Sequence, residues 1–302
     1  MYNVALYALT VMIWGSTWIA ITFQLGEVPV PVSIIYRFAI AGLLLFAILS
    51  LTRKLQKLDR KDHFYTLLQG CCLFCFNFYC FYSSIQYINS GLSSVVFSVA
   101  TVTNCVANWL FYKKKPSFKV VAGSFVGLIG ITAMFWPEFS SDGNWQETLK
   151  GVLLAMLGTV FFSLGNMISI RHQNKGLKPP STNAWGMFYG TCILTLVTLL
   201  QGIPFVLDGR TEYIAALLYL AIPGSVIVFT TYLLLVSRIG ADRAAYATVM
   251  FPAVALTLST FFEGYQWSSL AVVGFVLVAL GNVIIFFKWP LKTKTPLRAE
   301  SC

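Results

Sequence analysis

Charge is scarce in this sequence. Only 11% of its 302 residues are Asp, Glu, Lys or Arg and 2 are His, while 57% are apolar and the mean hydropathy is +0.74. A soluble domain normally carries about 25% charged residues, so this chain cannot clothe a water-exposed surface and a soluble globule is excluded. Acidic residues are rarer than basic ones, 11 against 21. None falls in the middle of an apolar run, and His63 and His172 stand at run ends, so the usual carboxylate or imidazole proton relay is missing. Neither a phosphate-cradling loop nor a nucleophile beside a base is present, and the glycines lie within apolar runs, where they pack helices. ATP-driven chemistry by this chain is thereby disfavoured.

What is present is apolar length. A bilayer-crossing helix needs about 20 mostly apolar residues, and ten uncharged runs can be read at about 4–22, 32–51, 64–85, 91–112, 117–136, 150–170, 183–203, 212–236, 242–262 and 267–287. The connections are short and hold no large soluble domain. The first run follows Met1, Tyr2 and Asn3 without a basic region or a cleavage pattern, and reads as a retained helix rather than a signal peptide.

The net charge of +10 reads as topology rather than as a nucleic-acid surface. Of the 21 Lys and Arg, all but Lys150, Arg210 and the intramembrane Arg37 fall on one side of the alternating connections. The positive-inside rule then places both termini in the cytoplasm. Glu27, Glu138, Asp142, Glu147, Asp208, Glu212 and Glu263 lean to the opposite side.

An odd number of spans per half inverts a duplicated half. An offset of 151 residues pairs Ile88 with Ile239, Phe111 with Phe262, Gly123 with Gly274 and Gly130 with Gly281. It also pairs Lys113, Lys114 and Lys115 with Gly264, Tyr265 and Gln266, the loss of basic charge that inversion requires. The expectation is an all-α integral membrane protein of ten transmembrane helices in two inverted five-helix repeats, 1–145 and 146–288, followed by a basic cytoplasmic tail at 289–302.

Trp14-Gly15-Ser16 in span one, Tyr36-Arg37-Phe38 in span two, Pro252 in span nine, the Phe262-Glu263 helix end and Gly-x6-Gly in the last span of each half now carry a resemblance. The chain resembles the drug/metabolite transporter superfamily, in particular its EamA-type ten-span permeases, over nearly its whole length. That resemblance implies an alternating-access permease for a small organic metabolite, an amino acid or a relative, with a bias toward export and a place in the bacterial inner membrane. The first half departs in having Thr101 opposite Pro252 and Tyr112 opposite Glu263.

Polar groups facing lipid are expensive, so polar positions within spans point to the bundle interior. Phe97, Thr101, Asn104 and Asn108 form one stripe, Thr159, Ser163 and Asn166 a second, and Gln69, Asn77, Phe81 and Ser84 a third. Their convergence, with rings placed deep in the spans, suits a cavity for an apolar or aromatic metabolite. The candidate substrate contacts are Trp14, Asn77, Phe81, Thr101, Asn104, Asn166, Tyr232, Tyr246 and Met250. Hydrogen bonding between helices is the competing role for each amide and hydroxyl. Trp109, Tyr112, Trp136, Trp145, Trp267 and Trp289 fit an interfacial belt.

Arg37 is close enough to the outer end of span two to snorkel or to pair structurally, and it could instead bind a substrate carboxylate at the outer mouth. Pro252 is a candidate gating hinge. Gly123, Gly127, Gly130, Gly274 and Gly281 allow close helix approach, within the chain or in a homodimer. Cys71, Cys72, Cys75 and Cys80 read as small apolar residues rather than metal ligands, and neither metal nor cofactor is expected. The partners expected are the metabolite and membrane lipid. The missing relay favours facilitated diffusion or exchange. Efflux of lipophilic cations and an enzyme acting on a lipid-linked substrate stand as alternatives, the first weakened by the lack of a membrane carboxylate.

Overall fold

The structure, a computed structural model, describes residues 2–113, 115–140, 145–239 and 247–286. Tyr246 and the tail at 289–302 lie outside the described residues. Among those described, regular structure is entirely helical and forms ten rods. These are α1 (Tyr2–Thr22), α2 (Val30–Leu51), α3 (Arg60–Ser84), α4 (Ser90–Tyr112), α5 (Phe118–Ser140), α6 (Trp145–Asn174), α7 (Pro179–Leu200), α8 (211–239), α9 (Ala247–Phe262) and α10 (Ser269–Phe286). The first eight contain stretches long and apolar enough to cross a membrane, and α9 and α10 are shorter apolar helices. At about 1.5 Å per residue, 21 residues of α1 extend about 31 Å, the thickness of a hydrocarbon core.

Local chemistry sets several helix ends. Pro29 precedes α2 and prolines open α7, where the first N–H groups need no helical partner. Asp59 caps α3 by accepting from the Asp62 N–H at 2.7 Å. The turn after α6 passes through Gly176 at φ +79°, a conformation that glycine adopts without a Cβ penalty.

Several features of the two halves match to the residue. The rod α3 contains a π-helical segment at Cys71–Phe76 and α8 contains one at Ile222–Ile227, 151 positions later. The same offset carries the start of α3, Arg60, onto the start of α8, Thr211, and the start of α5, Phe118, onto that of α10, Ser269. Packing follows the same exchange. The rod α1 packs on α8 and α9 of the other half, and α6 packs on α3 and α4; α2 lies on α7, and α5 on α10.

The α5–α10 contact is antiparallel, as inversion demands. Gly130 opposes Gly274, and Gly123 opposes Gly281. A Cβ at Gly130 would lie 2.6 Å from the Gly274 carbonyl oxygen, and one at Gly274 would lie 2.5 Å from that of Gly130, so backbone meets backbone. Gly123, Gly130, Gly274 and Gly281 therefore serve contact within the chain.

Candidate substrate pathway

A ring cluster occupies the meeting point of helices from both halves. Trp18 of α1 is edge-on to Phe81 of α3 at 5.1 Å, tilted against Phe97 of α4 at 5.9 Å and stacked with Phe251 of α9 at 6.4 Å. Phe97 also meets Phe81, Phe251 and, at 4.8 Å, Phe162 of α6. Such rings contribute large apolar area in tilted and edge-on pairs. Trp14, one turn before Trp18, belongs to an adjoining cluster with Phe229 and Tyr232 of α8. Phe81 and Tyr232 are related by the 151-residue offset, each lying five residues after its π segment.

The cluster sits where α4 and α9 are interrupted. Between Phe97 and Ala100 the α4 ladder tightens into i→i−3 bonds, and the Thr101 N–H reaches only the Ser98 carbonyl, at 3.4 Å. Pro252, which is buried, stands at the equivalent place in α9 and has no N–H to offer. The two halves thus lose the same backbone hydrogen bond by different means. The departure of Thr101 from Pro252 is therefore one of residue and not of backbone.

The polar candidates separate into three groups. Asn166 donates to Asn104 at 3.1 Å and Thr103 bonds Ser163 at 2.6 Å, so stripes on α4 and α6 meet as expected. Asn108, on the same stripe, has a buried side-chain oxygen without a partner among the described residues. Asn77 is committed elsewhere. Its amide donates to the Gly158 carbonyl at 3.0 Å, and Ser84 donates to that of Gly151 at 2.8 Å, fastening α3 to α6. Thr101 turns to α10 and donates to Asn282 at 3.1 Å. Met250, 49% exposed, is not among the buried side chains of the cluster. These three positions therefore depart from the single shared cavity lining expected of them.

Arg37 does not snorkel. It is 2% exposed, about 10 Å along α2 from its first residue, Val30. Its guanidinium lies 4.5 Å from the Phe78 ring centroid and donates to Tyr82 and Ser225, each at 3.4 Å. Tyr82 in turn donates to Gln24 at 2.7 Å. Ser225, inside the α8 π segment, donates to the Leu220 carbonyl five residues back, so the π turn aims its oxygen at Arg37.

Helix ends on either side of the ring cluster are fastened. Glu263, after α9, accepts from the Ser90 N–H at 3.1 Å through both carboxylate oxygens and from the Ser90 hydroxyl at 2.5 Å, capping α4. Asp62 of α3 pairs with Arg171 of α6 at 2.8 Å and with Lys175 at 2.9 Å. Tyr112, expected in the interfacial belt, instead donates to the Met167 carbonyl at 2.8 Å, whereas Trp109, Trp136, Trp145 and Trp267 are exposed.

Reading the sequence alone misses Trp18, Phe162, Phe251, Gln24 and Ser225. Trp18 has a signal, since it repeats Trp14 at i+4 on one helix face. Phe251 adjoins Pro252. Gln24 and Ser225 carry none, because a turn and a π segment place them.

A bundle of ten apolar helices in two inverted halves, closing on aromatic rings and bridged amides, defines an integral membrane transporter. The EamA-like transporter family model matches residues 2–136 and again 149–287, and the chain belongs to that family. It is 22% identical over 278 residues to Protein PagO of Salmonella typhimurium, covering 91% of this chain and 90% of that protein. It is 27% identical over 290 residues to YedA of Escherichia coli, described as an uncharacterized inner membrane transporter, covering 93% and 91%. The Bacillus subtilis transporter YoaV, also described as uncharacterized, is 24% identical over 275 residues, covering 89% and 90%. A solved crystal structure shares the fold with a TM-score of 0.65 and 16% identity, over 94% of this chain and 96% of its own.

Proposed function

We propose that this transporter carries a small organic metabolite, an amino acid or a relative, outward across a bacterial inner membrane by alternating access, through facilitated diffusion or exchange. The observation that carries this reading is the ring cluster of Trp18, Phe81, Phe97 and Phe251, placed where α4 and α9 each lose a backbone hydrogen bond. Rings give an apolar side chain a surface to bind, and interrupted helices give that surface two arrangements. The half-exposed Asn104 and Asn166 stand two turns beyond Phe97 and one turn beyond Phe162, with the Asn104 amide N–H and the Asn166 amide oxygen outside their mutual bond. One donor and one acceptor suit a polar metabolite with an apolar portion.

Thermal shift of the purified protein against amino acids and related metabolites tests the substrate class, followed by counterflow in proteoliposomes with each compound that stabilises it. Saturation at 100 times Kd is expected to add about 2.7 kcal/mol to stability. Accumulation driven by a pH gradient alone would overturn the uncoupled mechanism.

A further inference from the structure

Arg37 and Gln24 are 2% and 1% exposed, and among the described residues they present a cation without a counter-charge and an amide N–H without an acceptor. Among the described residues no carboxylate pairs with Arg37: the ion pairs there join Asp59, Asp62 and Asp208 to Arg171, Lys175 and Arg210. Its two hydrogen bonds, both 3.4 Å, are at the long limit for such bonds, and three of its five N–H donors make none. Contact with the Phe78 ring offsets only part of the cost of a buried charge.

The amide is oriented by the same network. The Tyr82 hydroxyl accepts from Arg37 and so directs its own proton to the Gln24 oxygen at 2.7 Å. The Gln24 Nε2 group is thereby turned away from Tyr82, buried and unpartnered. A guanidinium and a side-chain amide are thus bridged by a single phenol, which accepts from the first and donates to the oxygen of the second. Gly224 completes the surroundings: a Cβ there would meet the Thr17 methyl at 2.7 Å and lie 3.9 Å from Arg37 Nη2.

We infer that this place holds the carboxylate of the transported metabolite, taken by the Arg37 guanidinium and Gln24 Nε2, while the Tyr82 and Ser225 hydroxyls hold the guanidinium. An arginine fork matches a carboxylate in both charge and geometry. The clamp adjoins the ring cluster through chain neighbours, Tyr82 following Phe81 and Thr17 preceding Trp18. A compound with its carboxylate on Arg37 and an apolar side chain among the rings fits both. The inference rests on the permease reading above and adds to it the anionic end of the substrate.

Counterflow of a defined set separates the two. The set contains amino acids, the matching amino amides and decarboxylated amines, simple carboxylates with the same side chains, and phosphate monoesters. The expected result is exchange of the carboxylate-bearing compounds, at least tenfold slower exchange of amides and amines, and at least tenfold loss in Arg37→Gln with partial recovery in Arg37→Lys. Gln24→Ala, which leaves Arg37 intact, is expected to raise the half-saturating carboxylate concentration several-fold. Because the compound series is read on the unaltered protein, a poorly folding variant leaves the test standing. Exchange of amides or amines as fast as of carboxylates, preference for the phosphate monoesters, or a folded Arg37→Gln protein with unchanged exchange overturns the clamp and leaves the permease reading intact. Exchange of none of the set overturns both.

Discussion

Asn77 and Asn104 look alike in the sequence, each a mid-span amide on a polar stripe, and the structure gives them different work. Asn77 is buried against a backbone carbonyl that only a close approach at Gly158 brings within reach. No periodicity in α3 reveals where α6 is bare. Asn77→Ala is expected to lower stability by about 1–3 kcal/mol and to leave substrate affinity unchanged, read by thermal melts with and without ligand. Asn104→Ala is expected to weaken substrate affinity about tenfold, roughly 1.4 kcal/mol; unchanged affinity would remove the α4–α6 seam from the binding surface. In the α7–α8 connection, the Arg210 side chain and then its N–H hold the Asp208 carboxyl below the usual carboxylate range. Depression of the folded value means that this pair favours the folded state above the unfolded carboxylate value and stops doing so as pH falls through the folded one. Melting temperatures between pH 6 and pH 3 should therefore fall further for the unaltered protein than for Asp208→Asn, and parallel curves would count against the pair.

Helices were the most legible elements, because apolar length and the spacing of charge suffice to place them. Their interruptions were less so. Pro252 announces itself, but the α4 turn at Ser98 and Val99 contains no proline and is defined by hydrogen bonds that tertiary packing selects. The equivalence of the two breaks makes a test: Thr101→Pro removes an N–H that bonds only at 3.4 Å, whereas Val106→Pro, in the regular part of α4, interrupts an intact helix. The first is expected to cost well under the roughly 3 kcal/mol of a proline in a helix interior, and the second to approach that cost, measured by thermal unfolding in detergent. Equal damage would mean that the α4 turn is not a relaxed break. The α5–α10 seam offers a similar contrast. Gly130→Val drives side-chain atoms into the Gly274 backbone, while Gly127→Ala meets nothing within 4 Å. A drop of several degrees in melting temperature is expected for the first, and for the second no drop.

At the scale of the molecule, duplication was readable and the closing of its centre was not. The 151-residue offset rested on a few paired residues and on a basic cluster that vanishes, yet it locates the π segments and the starts of α8 and α10 to the residue. Tyr246, an expected contact, lies outside the described residues. The ring cluster draws on five helices, and which rings meet depends on helix rotation that hydropathy does not encode. Arg37 shows the same limit, since depth from a span end suggested a route to the interface while packing turned its guanidinium inward. Orientation remains an expectation from charge alone. Reporter fusions provide its test, with a fluorescent protein active at both termini and a periplasmic phosphatase active when placed after Asp208; the opposite pattern would reverse the proposed direction of every step.

The matched π segments have a consequence for inheritance and for tampering. Their sequences, CCLFCF and IPGSVI, share no residue at any aligned position, so the irregular turn is kept by what surrounds it and not by its own letters. A π turn holds one residue more than the α turn it replaces. Deleting a single residue from 71–76 would close that turn to an α turn and leave the helix beyond it in its present phase, whereas a deletion in the regular part of α3 would rotate everything beyond by about 100°. Only the second deletion would take Phe81 and Tyr82 away from the rings and the clamp together. The extra residue in each half is absorbed within one turn, so the sequence of that turn can change, or even shorten, while the helix that follows keeps its aim.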